Sequence, residues 1–108
     1  MKEKKIIQKI INYIDSILKY TSQVSYVEFK GNRMMVEACV FNLSQIGELA
    51  NKLDNEYVEK YPDIPWYKMK GLRNRIVHDY EGINLNLIWE IIENDLKKLR
   101  EQLLKLDI

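Results

Sequence analysis

Apolar residues recur at helical spacing along nearly the whole chain, and nowhere do they alternate as a half-buried strand would require. Ile6, Ile7, Ile10, Ile11, Ile14, Ile17 and Leu18 fall on one face, with Lys4, Lys5, Gln8, Lys9, Asn12 and Asp15 between them. The spacing predicts an amphipathic helix over residues 3–20. A broader arc follows, in which Met35, Cys39, Leu43, Ile46, Ala50 and Leu53 form one stripe and Val36, Val40, Phe41 and Leu49 widen it. An arc that wide belongs to a helix buried on more than one side. Its beginning is marked by Ser25-Tyr26-Val27-Glu28, the pattern of a capping box, with Gly31 able to delay the regular start to Asn32. Pro62-Asp63-Ile64-Pro65 then breaks helix continuity, and Pro65 suits the first position of a shorter helix ending near His78. Glu81-Gly82 closes that unit. Asn84 can cap a last helix, where Ile88, Ile92, Leu96, Leu99, Leu103 and Leu106 are spaced four and three apart. The expected architecture is all-α: one domain, residues 1–108, built as an antiparallel bundle of four main helices.

Two thin counts bound the chemistry. The single cysteine, Cys39, and single histidine, His78, exclude an internal disulfide and a four-ligand Cys/His zinc site within one chain. A net charge of +1, from 17 basic and 16 acidic residues, argues against a protein wrapped by long stretches of nucleic acid. The longest apolar run, Ala38 to Phe41, is too short to span a bilayer. Met1 to Lys5 is basic but leads into an amphipathic segment, not an apolar signal core. The expected location is cytoplasmic, with no membrane association.

Within this nearly neutral chain, residues 66–78 carry Lys68, Lys70, Arg73 and Arg75 and no acidic residue. Asn74 and His78 are four apart and share a helix face. Positions 73 and 78 are five apart, about 140° around an ideal helix, so helical geometry alone does not make them one site. A histidine can move a proton at neutral pH, and an arginine presents a planar fork to phosphate oxygens. Together they suit phosphodiester cleavage without metal: one imidazole deprotonates a ribose 2′-hydroxyl, arginine stabilises charge on phosphorus, and an acid protonates the departing oxygen. The scheme wants both an acid and a base. A symmetric dimer, placing two copies of the segment across one cleft, would supply them.

Arg73, four residues, His78, one residue, then Tyr80 resembles the signature of the HepT family of HEPN-domain proteins, and Asn74 fits the wider HEPN pattern. Leu43-Ser44-Gln45-Ile46-Gly47-Glu48 resembles the family's second-helix motif. Tyr61-Pro62-Asp63-Ile64-Pro65-Trp66 is similar to its approach to the motif helix, and Ile88-Trp89-Glu90-Ile91-Ile92 to its last helix. The resemblance implies a HEPN-type bundle that forms a homodimer, with the motif helices lining a shared cleft. It implies a ribonuclease toxin of a type VII-like toxin–antitoxin module, in which Arg73 and His78 are catalytic and Asn74 supports the site. The implied partner is an MntA-type nucleotidyltransferase antitoxin that transfers AMP from ATP to Tyr80 and silences the nuclease; the chain itself would need no cofactor or metal. An adenylyl group at Tyr80 would bring negative charge toward Arg73 or Arg75 and bulk into the path of an RNA strand.

Plainer readings stand beside these. A histidine at a helix end also serves as a cap, and Arg73 as a salt-bridge donor. Tyr80 can close the core, and Glu48, which could reach the cleft, can equally be a solvated carboxylate or pair with a motif arginine. Trp66 and Trp89 read as packing residues, and Cys39 as a buried, inert thiol. The alternative function is a non-catalytic helical module that binds nucleotide or a nucleotidyltransferase.

Overall fold

The computed structural model describes residues 2–78 and 84–106, the side chains at 73 and 75–78 excepted. Helix α1 spans Lys2–Tyr20, α2 Tyr26–Gly31, α3 Arg33–Ala50, α4 Asn55–Lys60, α5 Trp66–His78, α6 Leu85–Glu90 and α7 Leu96–Leu104. A π-helical turn, Ile91–Asp95, joins α6 to α7 without interruption. There is no strand among the described residues. The four main helices of the expected all-α bundle are α1, α3, α5 and the continuous α6–α7 rod.

Six isoleucines of α1 are buried, and they pack chiefly against α3. Each such side chain contributes about 2 kcal/mol of hydrophobic stabilisation. Helix α3 is buried on two sides, by α1 and by α5, as its broad arc requires. Cys39, Leu43, Ile46 and Ala50 are fully enclosed there, and Asn42 is buried with its amide donating to the Ala38 carbonyl at 2.6 Å. Phe41 departs from expectation. It belongs to the apolar arc by sequence but stands 57% exposed, because neither α1 nor α5 covers that edge of α3.

The capping box forms in full: the Ser25 hydroxyl accepts from the Glu28 amide at 3.1 Å, and the Glu28 carboxylate from the Ser25 amide at 3.0 Å. The helix it starts is short. Asn32 leaves helical geometry at φ −112°, ψ 92°, and its side chain accepts from the Met35 amide, ending α2 and capping α3 at once. One polar residue therefore splits what periodicity reads as a single helix. Helix α4 lies where sequence suggested only a broken connection; its Tyr57 and Val58 pack partly against the core.

The last rod starts as expected, with Asn84 accepting from the Leu87 amide at 3.2 Å. Two consecutive four-residue steps, Ile88 to Ile92 to Leu96, would rotate the apolar seam by roughly 80° on a regular α-helix. The π-turn, in which the Leu96 amide reaches the Ile91 carbonyl, absorbs that drift, and Ile88, Ile91, Ile92, Leu96, Leu99 and Leu103 are all buried. Trp66 and Trp89 are packing residues. Trp66 is buried with its indole N–H on the Tyr61 carbonyl at 3.0 Å, and Trp89 lies 4.9 Å from the Phe29 ring.

Cys39 sits in the dry core, and burial pushes its thiol from an ordinary 9.0 up to about 11. Below pH 9 it is neutral folded and unfolded. Between pH 9 and 11 only the unfolded chain ionises there, so stability falls as pH rises through that window, by about 2–3 kcal/mol in full. Urea unfolding of wild type and Cys39→Ala at pH 8 and pH 10.5 checks this. The wild-type advantage over the variant is expected to shrink at the higher pH.

Candidate active site

Helix α5 is positioned from both ends of the preceding segment. Ile64 is buried, the Trp66 indole is tied back to Tyr61, and the Pro65 carbonyl accepts the Met69 amide at 3.1 Å. Pro65 thus stands at the cap of α5, one place before the first helical position expected for it. Trp66, Met69 and Leu72 repeat every three residues and hold one face of α5 against the bundle. Tyr67, Lys68 and Asn74 lie on the exposed side, and Lys70 is half-buried.

The Asn51 side chain, at the C-cap of α3, donates to the Lys70 carbonyl at 3.5 Å. Helices α3 and α5 form the most extensive pair in the bundle. With Lys70 level with the end of α3, the remaining turns of α5 can overlap α3 only if the two run antiparallel. That direction runs the Arg73 end of α5 back along α3, the helix that carries Glu48. Glu48 is half-buried on α3 and is already engaged in a polar contact.

Arg73, Asn74, Arg75 and His78 therefore share one continuous helix, α-helical through His78, with Glu48 on its neighbour. Asn74 is exposed. Tyr80 lies outside the described residues. Because α5 remains α-helical to His78, positions 73 and 78 keep their separation of about 140° around its axis. Sequence reasoning did not single out Asn51, whose amide fixes the level of α5 against α3; a polar residue just past a helix end is the signal for such a tie.

Gly71 occupies the middle of α5, two residues before Arg73. A Cβ built there meets no atom within 4 Å, and no glycine described has positive φ. Nothing among the described residues requires glycine at that place. Gly71→Ala is expected to stabilise the isolated fold by about 0.5–1 kcal/mol, read from the urea midpoint.

A helical bundle presenting a basic, acid-free helix with an Arg-X4-His spacing defines a class of small proteins suited to handling phosphodiesters. Residues 10–106 match the family described as Ribonuclease HepT-like. The chain belongs to this HepT-like ribonuclease family, within the HEPN fold. It is 33% identical over 99 residues to a Methanocaldococcus jannaschii protein named as a putative RNase, covering 92% of this chain and 91% of the relative. A second protein of that organism, named in the same way, is 32% identical over 96 residues, covering 85% and 79%. A Thermococcus cleftensis protein named as a probable ribonuclease HepT is 25% identical over 103 residues, covering 95% and 94%. No solved structure matches the chain. Among the described residues, no helix is long and apolar enough to cross a membrane.

Proposed function

We propose that this protein is an RNA endonuclease, the toxin of a type VII-like toxin–antitoxin module. The observation that carries the reading is the unbroken α5, which sets Arg73 and His78 on one rigid element with Asn74 exposed beside them, in a chain of the HepT-like ribonuclease family. The imidazole of His78 takes the proton from a ribose 2′-hydroxyl. The 2′-oxygen attacks the adjacent phosphorus, and the P–O5′ bond breaks, leaving a 2′,3′-cyclic phosphate and a 5′-hydroxyl. Arg73 neutralises the negative charge that builds on the phosphoryl oxygens. Protonation of the leaving 5′-oxygen falls to the second His78, from the other chain of a homodimer. Separation of positions 73 and 78 around the helix supports the two-chain arrangement, since one α5 alone does not place them side by side.

Control of the nuclease is assigned to an MntA-type nucleotidyltransferase that moves AMP from ATP onto Tyr80. The added phosphodiester is anionic and the adenosine bulky, so it neutralises the cations of α5 and obstructs the strand. Intact mass after incubation with that partner and ATP is expected to rise in AMP steps, and the gain is expected to be absent from Tyr80→Phe.

The decisive experiment incubates purified protein with RNA in EDTA, beside Arg73→Ala and His78→Ala. Cleavage by wild type alone, with cyclic-phosphate ends, supports the reading. Equal cleavage by all three, or by none, would falsify it; RNA or nucleotide binding without cleavage would favour the non-catalytic module.

A further inference from the structure

The fold assembles a second basic surface away from α5. Along α1, Lys2, Lys5 and Lys9 follow at three- and four-residue steps, one stripe of a helix, and Asn12, Tyr13 and Ser16 continue it. Packing of α1 on α3 brings Lys52 to this stripe, across a shallow groove. Gln45 and Leu49 line the same wall as Lys52. No carboxylate is among the residues lining the groove. Lys2 reaches Asp54 at 3.4 Å, whereas Lys5, Lys9 and Lys52 make no ion pair among the described residues. Four lysines, three on α1 and one in the turn that follows α3, thus converge in a chain whose net charge is only +1.

We propose that the α1–α3 groove is a track for the phosphate backbone of a single RNA strand, distinct from the Arg73/His78 site and feeding it; the proposal rests on RNA being the substrate. The stripe from Lys2 to Ser16 runs about 20 Å along α1, at 1.5 Å per residue, enough for a few nucleotides. Its cations, Lys2, Lys5 and Lys9, recur about once per helical turn over the first half of the stripe, a spacing that suits successive phosphates. The amides of Asn12 and Gln45 and the hydroxyls of Tyr13 and Ser16 offer donors and acceptors to ribose and phosphate. A protein partner would instead want a buried apolar or aromatic anchor at the centre of the surface. Here the centre is lysine, with Ile6 and Leu49 only at the floor. Lys52, at the edge of the groove, is preceded along the chain by Asn51, whose amide donates to the Lys70 carbonyl of α5.

The test compares two triple variants of equal charge. K5Q/K9Q/K52Q removes the track; K19Q/K30Q/K60Q removes three other exposed lysines. Both are expected to fold, as circular dichroism will show, since none of the six side chains is buried. The probe is a fluorescent 2′-O-methyl RNA 12-mer, which cannot be cleaved, titrated by anisotropy at several salt concentrations. The track variant is expected to bind at least about tenfold more weakly at low salt, and its log Kd–log salt slope to fall by about 2, three phosphate contacts at roughly 0.7 each. The control is expected to stay within twofold of wild type. Equal affinities for the two variants, an unchanged slope, or no binding by wild type overturns the track. Equal affinities together with lost capture of the nucleotidyltransferase by the track variant would assign the groove to a protein partner instead. Failure of the nuclease reading looks different: wild type binds RNA through the groove but does not cut a 2′-hydroxyl substrate.

Discussion

His78→Ala is expected to lower RNA cleavage by about 10²–10⁴-fold, the usual contribution of a positioned general acid–base, without changing the fold. The position ends α5, six residues past Leu72, the last described anchor of that helix, and circular dichroism of the variant checks that the fold is kept. Arg73→Ala is expected to fall by a comparable 10²–10³, the loss typical of one donor to a developing oxyanion. A mixing experiment separates one shared site from two independent ones. If two His78 imidazoles serve a single cleft, an equal mixture of wild type and His78→Ala, allowed to exchange subunits, retains active dimers in roughly one quarter of the population. Independent sites would retain half the activity. The dose–response of activity against variant fraction is therefore a curve in the first case and a straight line in the second.

The largest structural effect is expected at Phe29. Its ring is fully buried and stacks at 4.9 Å on Trp89, which also lies 6.1 Å from Tyr26. Helix α2 has only six residues and cannot persist unaided, so Phe29 is what fastens it to the α6–α7 rod. Phe29→Ala removes the ring and leaves a cavity between two elements, at a cost of about 3–5 kcal/mol. Against a total of about 5–15 kcal/mol, that removes a large share of the stability, with a melting point lower by about 15 °C or more. Phe41→Ala is the control, since that ring is 57% exposed and its removal should cost less than about 1 kcal/mol. Thermal melts must be run at one protein concentration, because dimerisation would add a concentration-dependent term.

The two phenylalanines mark the limit of reading along the chain. Both belong to helices and both are apolar, yet one is enclosed and the other faces outward, because enclosure depends on which neighbouring helix arrives. The same limit explains Asn32. Periodicity runs straight through it, and only the competition of its side chain for the Met35 amide shows that the helix stops and restarts. Helix α4 escaped notice because its few apolar residues pack only partly and form no stripe. The π-turn was foreshadowed by the two four-residue steps around Ile92, although periodicity does not say whether such drift is absorbed by a wide turn or by tilting the rod. By contrast, the capping box at Ser25, the cap at Asn84 and the break at Pro62–Pro65 involve residues a few places apart, and all are found where their residues predict them. The motif residues were legible for the same reason: Arg73, Asn74, Arg75 and His78 share one short helix.

The sequence by itself determined the four main helices, most of the apolar face each buries, and the basic helix that carries the Arg-X4-His spacing. These are local properties, governed by a repeat of 3.6 residues and by side chains competing for nearby amides. Tertiary structure decided what no local rule contains: that α3 is covered by both α1 and α5, that Phe41 is left uncovered, and that Lys52 joins Lys5 and Lys9 across a groove. On α1 alone those lysines are an ordinary solvated face. Packing against α3, driven by six buried isoleucines that bear no charge, is what gathers the cations into one surface.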